Sequence, residues 1–106
     1  MIFNKKTEAD IVAEDRKLIE RNSSAVYKLV SVVNDNEGLA SRLRALCERL
    51  KYLKPVKTKD AMEEDIIIEN RIENLKTEMA HINGETSYKV NKLISDIMLL
   101  LVDRKD

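Results

Sequence analysis

The stretch LASRLRALCERLKYLKP, Leu39 to Pro55, carries leucines at 39, 43, 46, 50 and 53. Steps of four and three bring a side chain back to the same side of an α-helix, so all five share one stripe. The same period recurs along most of the chain, and it restricts the fold more than any other feature. Apolar residues spaced in this way are buried by packing helix against helix. Composition argues in the same direction. There is no Trp, one Phe, three Tyr, two Gly and one Pro, whereas sheets draw on aromatics and their turns on glycine and proline. A length of 106 residues suits one domain with one core.

Residues 1–7 read as a polar lead-in, and 8–106 as a single helical bundle domain. From Glu8 to Asn34 the apolar residues come in doublets: Ile11/Val12, Leu18/Ile19, Ala25/Val26 and Val32/Val33, with Leu29 and Val30 between the last two. Asp10, Glu14, Lys17, Arg21, Ser24, Lys28 and Ser31 form a polar stripe opposite them. The doublets make an apolar face wider than a two-stranded seam. Asp15 and Asn22 are polar where a strict zipper places apolar residues. The pattern therefore predicts a bundle helix over 8–34. Asn22-Ser23-Ser24 is the one place where local side-chain bonding competes with it.

Asp35 or Asn36 caps a second helix over 36–54, which Pro55 stops. Asp60-x-x-Glu63 resembles a capping box for a third helix over 60–83, with Ile68, Ile72, Leu75, Met79 and Ile82 on one stripe. Ile66-Ile67-Ile68 sweeps about 200° of helix surface, more than one groove covers. Asn83-Gly84 marks a break, and a fourth helix over 86–103 carries Val90, Leu93, Ile94, Ile97 and Leu101. The expected fold is all-α, an up-down bundle of four helices, because the connections are short. The alternative is three helices, the last a rod over 60–103 about 66 Å long at 1.5 Å per residue. Such a rod overhangs a first helix of about 40 Å and calls for a second chain.

Formal charge balances, with 19 basic and 19 acidic residues. This gives no general attraction to nucleic acid or to acidic membranes. The balance is uneven along the chain. Residues 35–59 hold seven bases against three acids, and residues 60–83 hold seven acids against two bases. That complementarity predicts the second and third helices as hairpin neighbours. The functional counterpart is a basic face, with Arg42 and Arg49 beside the leucine stripe, presented to a partner. Arg42, Arg44, Arg49 and Lys51 also define the alternative of a nucleic-acid-binding regulator. They lack a helix-turn-helix context, and Tyr52 is the single aromatic among them.

The residues of common catalytic constellations are scarce. Cys47 and His81 are each the sole member of their kind, so a nucleophile, a base and an orienting group do not assemble in a familiar way. Cys47 beside Leu46 and Leu50 reads as a small buried hydrophobe, and a lone thiol excludes an intrachain disulfide. Glu78-x-x-His81 is half of a di-iron carboxylate set, the basis of a third alternative, a helical metal protein or enzyme with an interior site. Glu78 and His81 flank the Met79/Ile82 stripe rather than lie on it. Glu63-Glu64-Asp65 lacks the glycine and loop ligands of a calcium site and complements the dipole at a helix N-terminus. With two glycines there is no phosphate-cradling loop, and no cofactor is expected.

The longest apolar run, Ile97-Met98-Leu99-Leu100-Leu101-Val102, is far shorter than the roughly 20 residues of a membrane span. No secretory signal pattern is visible at the start, so a cytoplasmic setting is expected. Within the run Leu99 falls on the polar side marked by Lys92, Asp96 and Asp103. The expectation is a non-enzymatic interaction or assembly module, a homo-oligomer or one that docks on a protein partner. Its contact residues would be Ile97, Met98, Leu99, Leu100 and Val102, with Ile66 and Ile67 and the flanking Arg42 and Arg49.

Overall fold

The computed structural model describes residues 6–33, 36–80 and 88–104. These residues form four helices, α1 (Glu8–Val32), α2 (Glu37–Lys51), α3 (Lys59–Ala80) and α4 (Tyr88–Asp103). Thr7 starts α1 through a full capping box: its hydroxyl accepts from Asp10 N–H, and the Asp10 carboxylate accepts from Thr7 N–H. The helix then runs unbroken through Asn22-Ser23-Ser24. Asn36 caps α2 by accepting from Leu39 N–H. The helix ends at Lys51, three residues short of the expected stop, and Tyr52 closes it by donating to Glu48 O. The cap of α3 is Thr58, whose hydroxyl accepts from Ala61 N–H at 3.1 Å, rather than Asp60. Starting the helix at Lys59 places Asp60 inside its first turn.

Most of the predicted stripe residues form the core; Leu53 and Leu93 are half-buried, Val32 is exposed, and Ile82 lies outside the described residues. Leu39, Leu43, Leu46 and Leu50 of α2 are buried with Val26 and Leu29 of α1, Ile68, Ile72, Leu75 and Met79 of α3, and Val90, Ile94, Ile97 and Leu101 of α4. Each large aliphatic side chain removed from water in this way contributes about 1.5–3 kcal/mol. The polar stripe of α1 is exposed along its whole length. A second, smaller apolar cluster of Ile11, Leu18, Val56 and Met62 lies where the chain passes from α2 to α3.

The helices alternate in direction, as expected of an up-down bundle, but their neighbour relations differ from the prediction. Helix α1 lies against α2 and α3, and α4 lies against α3 and α2. No Cα of α2 comes within 8 Å of one in α3, so these two occupy a diagonal rather than forming a hairpin. The physical reason is that exposed opposite charges contribute about 0–1 kcal/mol per pair, too little to choose neighbours against the pairing of apolar stripes. The connector over 52–58 crosses the end of the bundle along that diagonal. Its seven residues, between Lys51 and Lys59, reach about 23 Å when extended. The diagonal of a four-helix square with 8–10 Å sides is only about 11–14 Å.

The rod over 60–103 is excluded. Arg104, just beyond α4, bonds Asp65 near the start of α3, so the two helices lie side by side and antiparallel. Parallel neighbours are marked by Arg42 of α2 reaching Asn91 and Ser95 of α4, and by Arg21 of α1 pairing with Glu69 of α3 at 3.1 Å.

Candidate functional site

The diagonal connector covers a cluster of buried charge to which each helix or its flank contributes. Asp15 comes from α1, Asp65 from α3, and Arg104 follows α4; all three side chains are buried. Asp15 and Asp65 lie on the apolar stripes of their helices, and Arg104 continues the stripe of α4 just past its end. Asp15 falls between Ile11 and Leu18, Asp65 is three residues before Ile68, and Arg104 is three residues after Leu101. The same rotation that buries those neighbours therefore turns the charged groups inward.

Arg104 grips Asp65 with two parallel bonds, Nε to Oδ1 at 2.7 Å and Nη2 to Oδ2 at 2.9 Å. This fork geometry is the strongest form of carboxylate–guanidinium contact. Nη2 also donates to the Lys54 carbonyl at 2.8 Å and reaches Asp15 Oδ2 at 3.4 Å. Asp15 Oδ2 in turn accepts the backbone N–H of Val56 at 3.0 Å. The connector is thus tied at both ends of its Lys54-Pro55-Val56 turn, once through a carbonyl and once through an amide. Asn22, also buried, extends the polar seam with a long 3.5 Å bond from Nδ2 to Asp65 O.

Two carboxylates share one guanidinium in this cluster. Asp15 Oδ1 is buried and has no hydrogen-bond partner among the described residues. Burial pushes the Asp15 carboxyl up from 3.8 to about 7. The bond that a protonated Asp15 makes to the Asp65 carboxyl adds to the rise, the Val56 N–H opposes it, the negative charge of Asp65 raises it further and Arg104 lowers it. A protonated Asp15 turns its orphaned oxygen into a donor, and Asp65 is the acceptor facing it.

Beside the connector is an open cleft of about 600 Å³, lined by Lys54, Val56, Lys57, Asp60, Ala61 and Glu64 among others. Its charged rim carries both signs, and Lys54 and Val56, which line it, also bond the buried cluster through their backbones.

The residues singled out from the sequence fall into several groups. Leu99 and Val102 stand out from α4 at 62 % and 67 % exposure, and Met98 and Leu100 flank them half-buried. Ile66 and Ile67 are 41 % and 42 % exposed on the outer side of α3. Ile97 is fully buried in the core, because it lies on the Val90/Ile94/Leu101 stripe, and it supports the surface residues from beneath. Arg42 is engaged within the chain: Nη1 donates to Asn91 Oδ1 and Nη2 to Ser95 Oγ at 2.9 Å, clamping α2 to α4. Arg49 is exposed. Cys47 is half-buried against the core, and burial raises its thiol pKa, helped by the neighbouring Glu48.

Asp65, expected to complement a helix dipole, is instead inside the bundle. Glu78 is half-buried, and it lines a shallow cleft with Lys89, Lys92, Leu93 and Asp96. His81, its expected metal-binding companion, lies outside the described residues, as do Ile82 and the Asn83-Gly84 break. Among the described residues no three acidic, His or Cys side chains are grouped to hold a metal ion. Among the same residues no helix is long and apolar enough to cross a membrane.

No family model, curated protein or solved structure matches this chain.

Proposed function

We propose that the protein is a non-enzymatic helical interaction module, which self-associates or docks on a protein partner through the outer face of α4. The observation that carries this reading is the exposure of Leu99 and Val102, three residues apart and well over half exposed, on a helix whose inner stripe is already fully used. Residues at this spacing lie side by side on a helix surface. They add nothing to the core, and an apolar face of this kind is covered when a second helix is laid against it. Half-buried Met98 and Leu100 widen the strip, and Ile66 and Ile67 give α3 apolar surface of its own. A cytoplasmic setting is part of the reading and accords with the single free thiol, Cys47.

The test is the solution mass at rising protein concentration, by light scattering or sedimentation, combined with affinity capture from the source cells. The expected result is a dimer or larger species, or a captured protein. Either is lost in the Leu99→Glu, Val102→Glu double variant while the helical content is retained. A strictly monomeric mass at high concentration together with no captured partner overturns the reading.

A further inference from the structure

The buried cluster of Asp15, Asp65 and Arg104 has a consequence that the surface of α4 does not touch. With both carboxylates ionised the three groups sum to one negative charge inside the bundle, and with one proton on Asp15 they sum to zero. Buried groups avoid net charge far more strongly than exposed ones. The connector is fastened directly to this cluster, through Lys54 O on Arg104 and Val56 N–H on Asp15.

We infer that the cluster is a proton-gated latch: one proton held on Asp15, against Asp65, keeps the connector closed over the end of the bundle, and loss of that proton favours a state in which residues 54–58 swing away and water reaches Asp15. Among the described residues the groups facing Asp15 are few. From α3 it is Asp65, from the end of α4 it is Arg104, and the connector offers backbone only. The side chains of Lys54 and Lys57 are exposed at the neighbouring cleft and form no ion pair with Asp15. The partners that keep Asp15 closed thus include one anion and one cation, and the cation is already held in a fork by that anion.

Opening hydrates the unpartnered Oδ1 and removes the like-charge contact. It also uncovers Val56 together with Ile11, Leu18 and Met62, the small apolar cluster that the connector now closes. In the open state Asp15 behaves as an ordinary carboxylate. Opening therefore grows by up to tenfold per pH unit from the usual carboxylate range up to about pH 7, then levels off, because above that point both states have lost the proton.

The experiment is amide hydrogen exchange by NMR on the full chain at pH 5, 6, 7 and 8, with each rate corrected for base-catalysed intrinsic exchange. Leu46 N–H, in the middle of α2, reports opening of the whole bundle. The expected result is a Val56 opening constant that rises at least tenfold from pH 5 to pH 8, flattens above pH 7, and exceeds that of Leu46 at least tenfold at pH 8. Asp15→Asn, which replaces the protonated acid by a neutral group of the same shape, removes the rise and keeps Val56 protected at pH 8. The latch is overturned if Val56 exchanges only in step with Leu46 at the same opening constant. It is equally overturned if the wild-type Val56 constant does not change with pH, a result that needs no variant to fold.

Discussion

Asp65 and Arg104 are 39 residues apart in the chain and are joined by two bonds of 2.7 and 2.9 Å, both buried. This pair closes the antiparallel arrangement of α3 and α4 at the end of the bundle where the connector crosses. It also sets the position of the guanidinium that holds Lys54 O and approaches Asp15.

Arg104→Ala leaves two buried carboxylates with no cation between them. Removing one member of a buried pair costs about 3–5 kcal/mol, because the remaining charge stays desolvated. The variant is expected to lose that much stability in urea unfolding at pH 7.5. Part of it should return at pH 5, where Asp15 neutralises itself by taking up a proton. Arg104→Met combined with Asp65→Leu removes the forked pair together, leaves Asp15 as the one buried carboxyl, and is expected to recover part of the loss. Equal destabilisation in the single and double variants contradicts this account.

Asp15 predicts the sign of a pH dependence. Its folded pKa, about 7, lies above the ordinary 3.8, so between these values the folded chain holds a proton that the unfolded chain has released. The stability linked to that proton is fully present below about pH 4 and is lost as pH rises through 7. Over this window the contribution of Asp15 falls by a few kcal/mol in total, with a slope of at most about 1.4 kcal/mol per pH unit. Asp15→Asn is expected to remove this component, so the variant gains on the wild type as pH rises and is the more stable of the two at pH 8. Urea unfolding of both chains from pH 5 to pH 8 is the measurement. Parallel curves for the two chains dispose of the prediction.

Arg42 separates a structural role from a binding role. Its contacts to Asn91 and Ser95 are partly exposed, so Arg42→Ala is expected to lower stability by about 1 kcal/mol. Arg49→Ala, at an exposed position without such contacts among the described residues, is expected to change it by less than about 0.5 kcal/mol. Thermal unfolding of the two variants checks the contrast. Salt-sensitive retention of the wild type on DNA or RNA that falls with both variants alike would assign the basic side of α2 to nucleic acid instead.

Much of the architecture was legible in the spacing of apolar residues. The four stripes, the exposed polar side of α1 and the surplus apolar residues Leu99 and Val102 follow from helical geometry alone. These properties depend on residues within a few turns of one another, so a single chain carries them without knowledge of the fold. The inward placement of Asp15, Asn22 and Asp65 was legible in the same way, since each interrupts an apolar stripe at the stripe's own period. Read as weak points of a zipper or as dipole partners, they conceal the fact that the stripe buries whatever occupies it.

What the spacing does not contain is which stripe meets which. The charges of residues 35–83 pointed to α2 and α3 as neighbours, yet the two lie on the diagonal. The meeting of Asp15, Asp65 and Arg104 depends on that diagonal, because the connector crosses the end of the bundle there and brings Lys54 O and Val56 N–H to them. Local periodicity thus determined the helices and their buried faces. Only tertiary structure decided their order and the shared environment of the three charges, because burial over long range outweighs the small energies of exposed ion pairs.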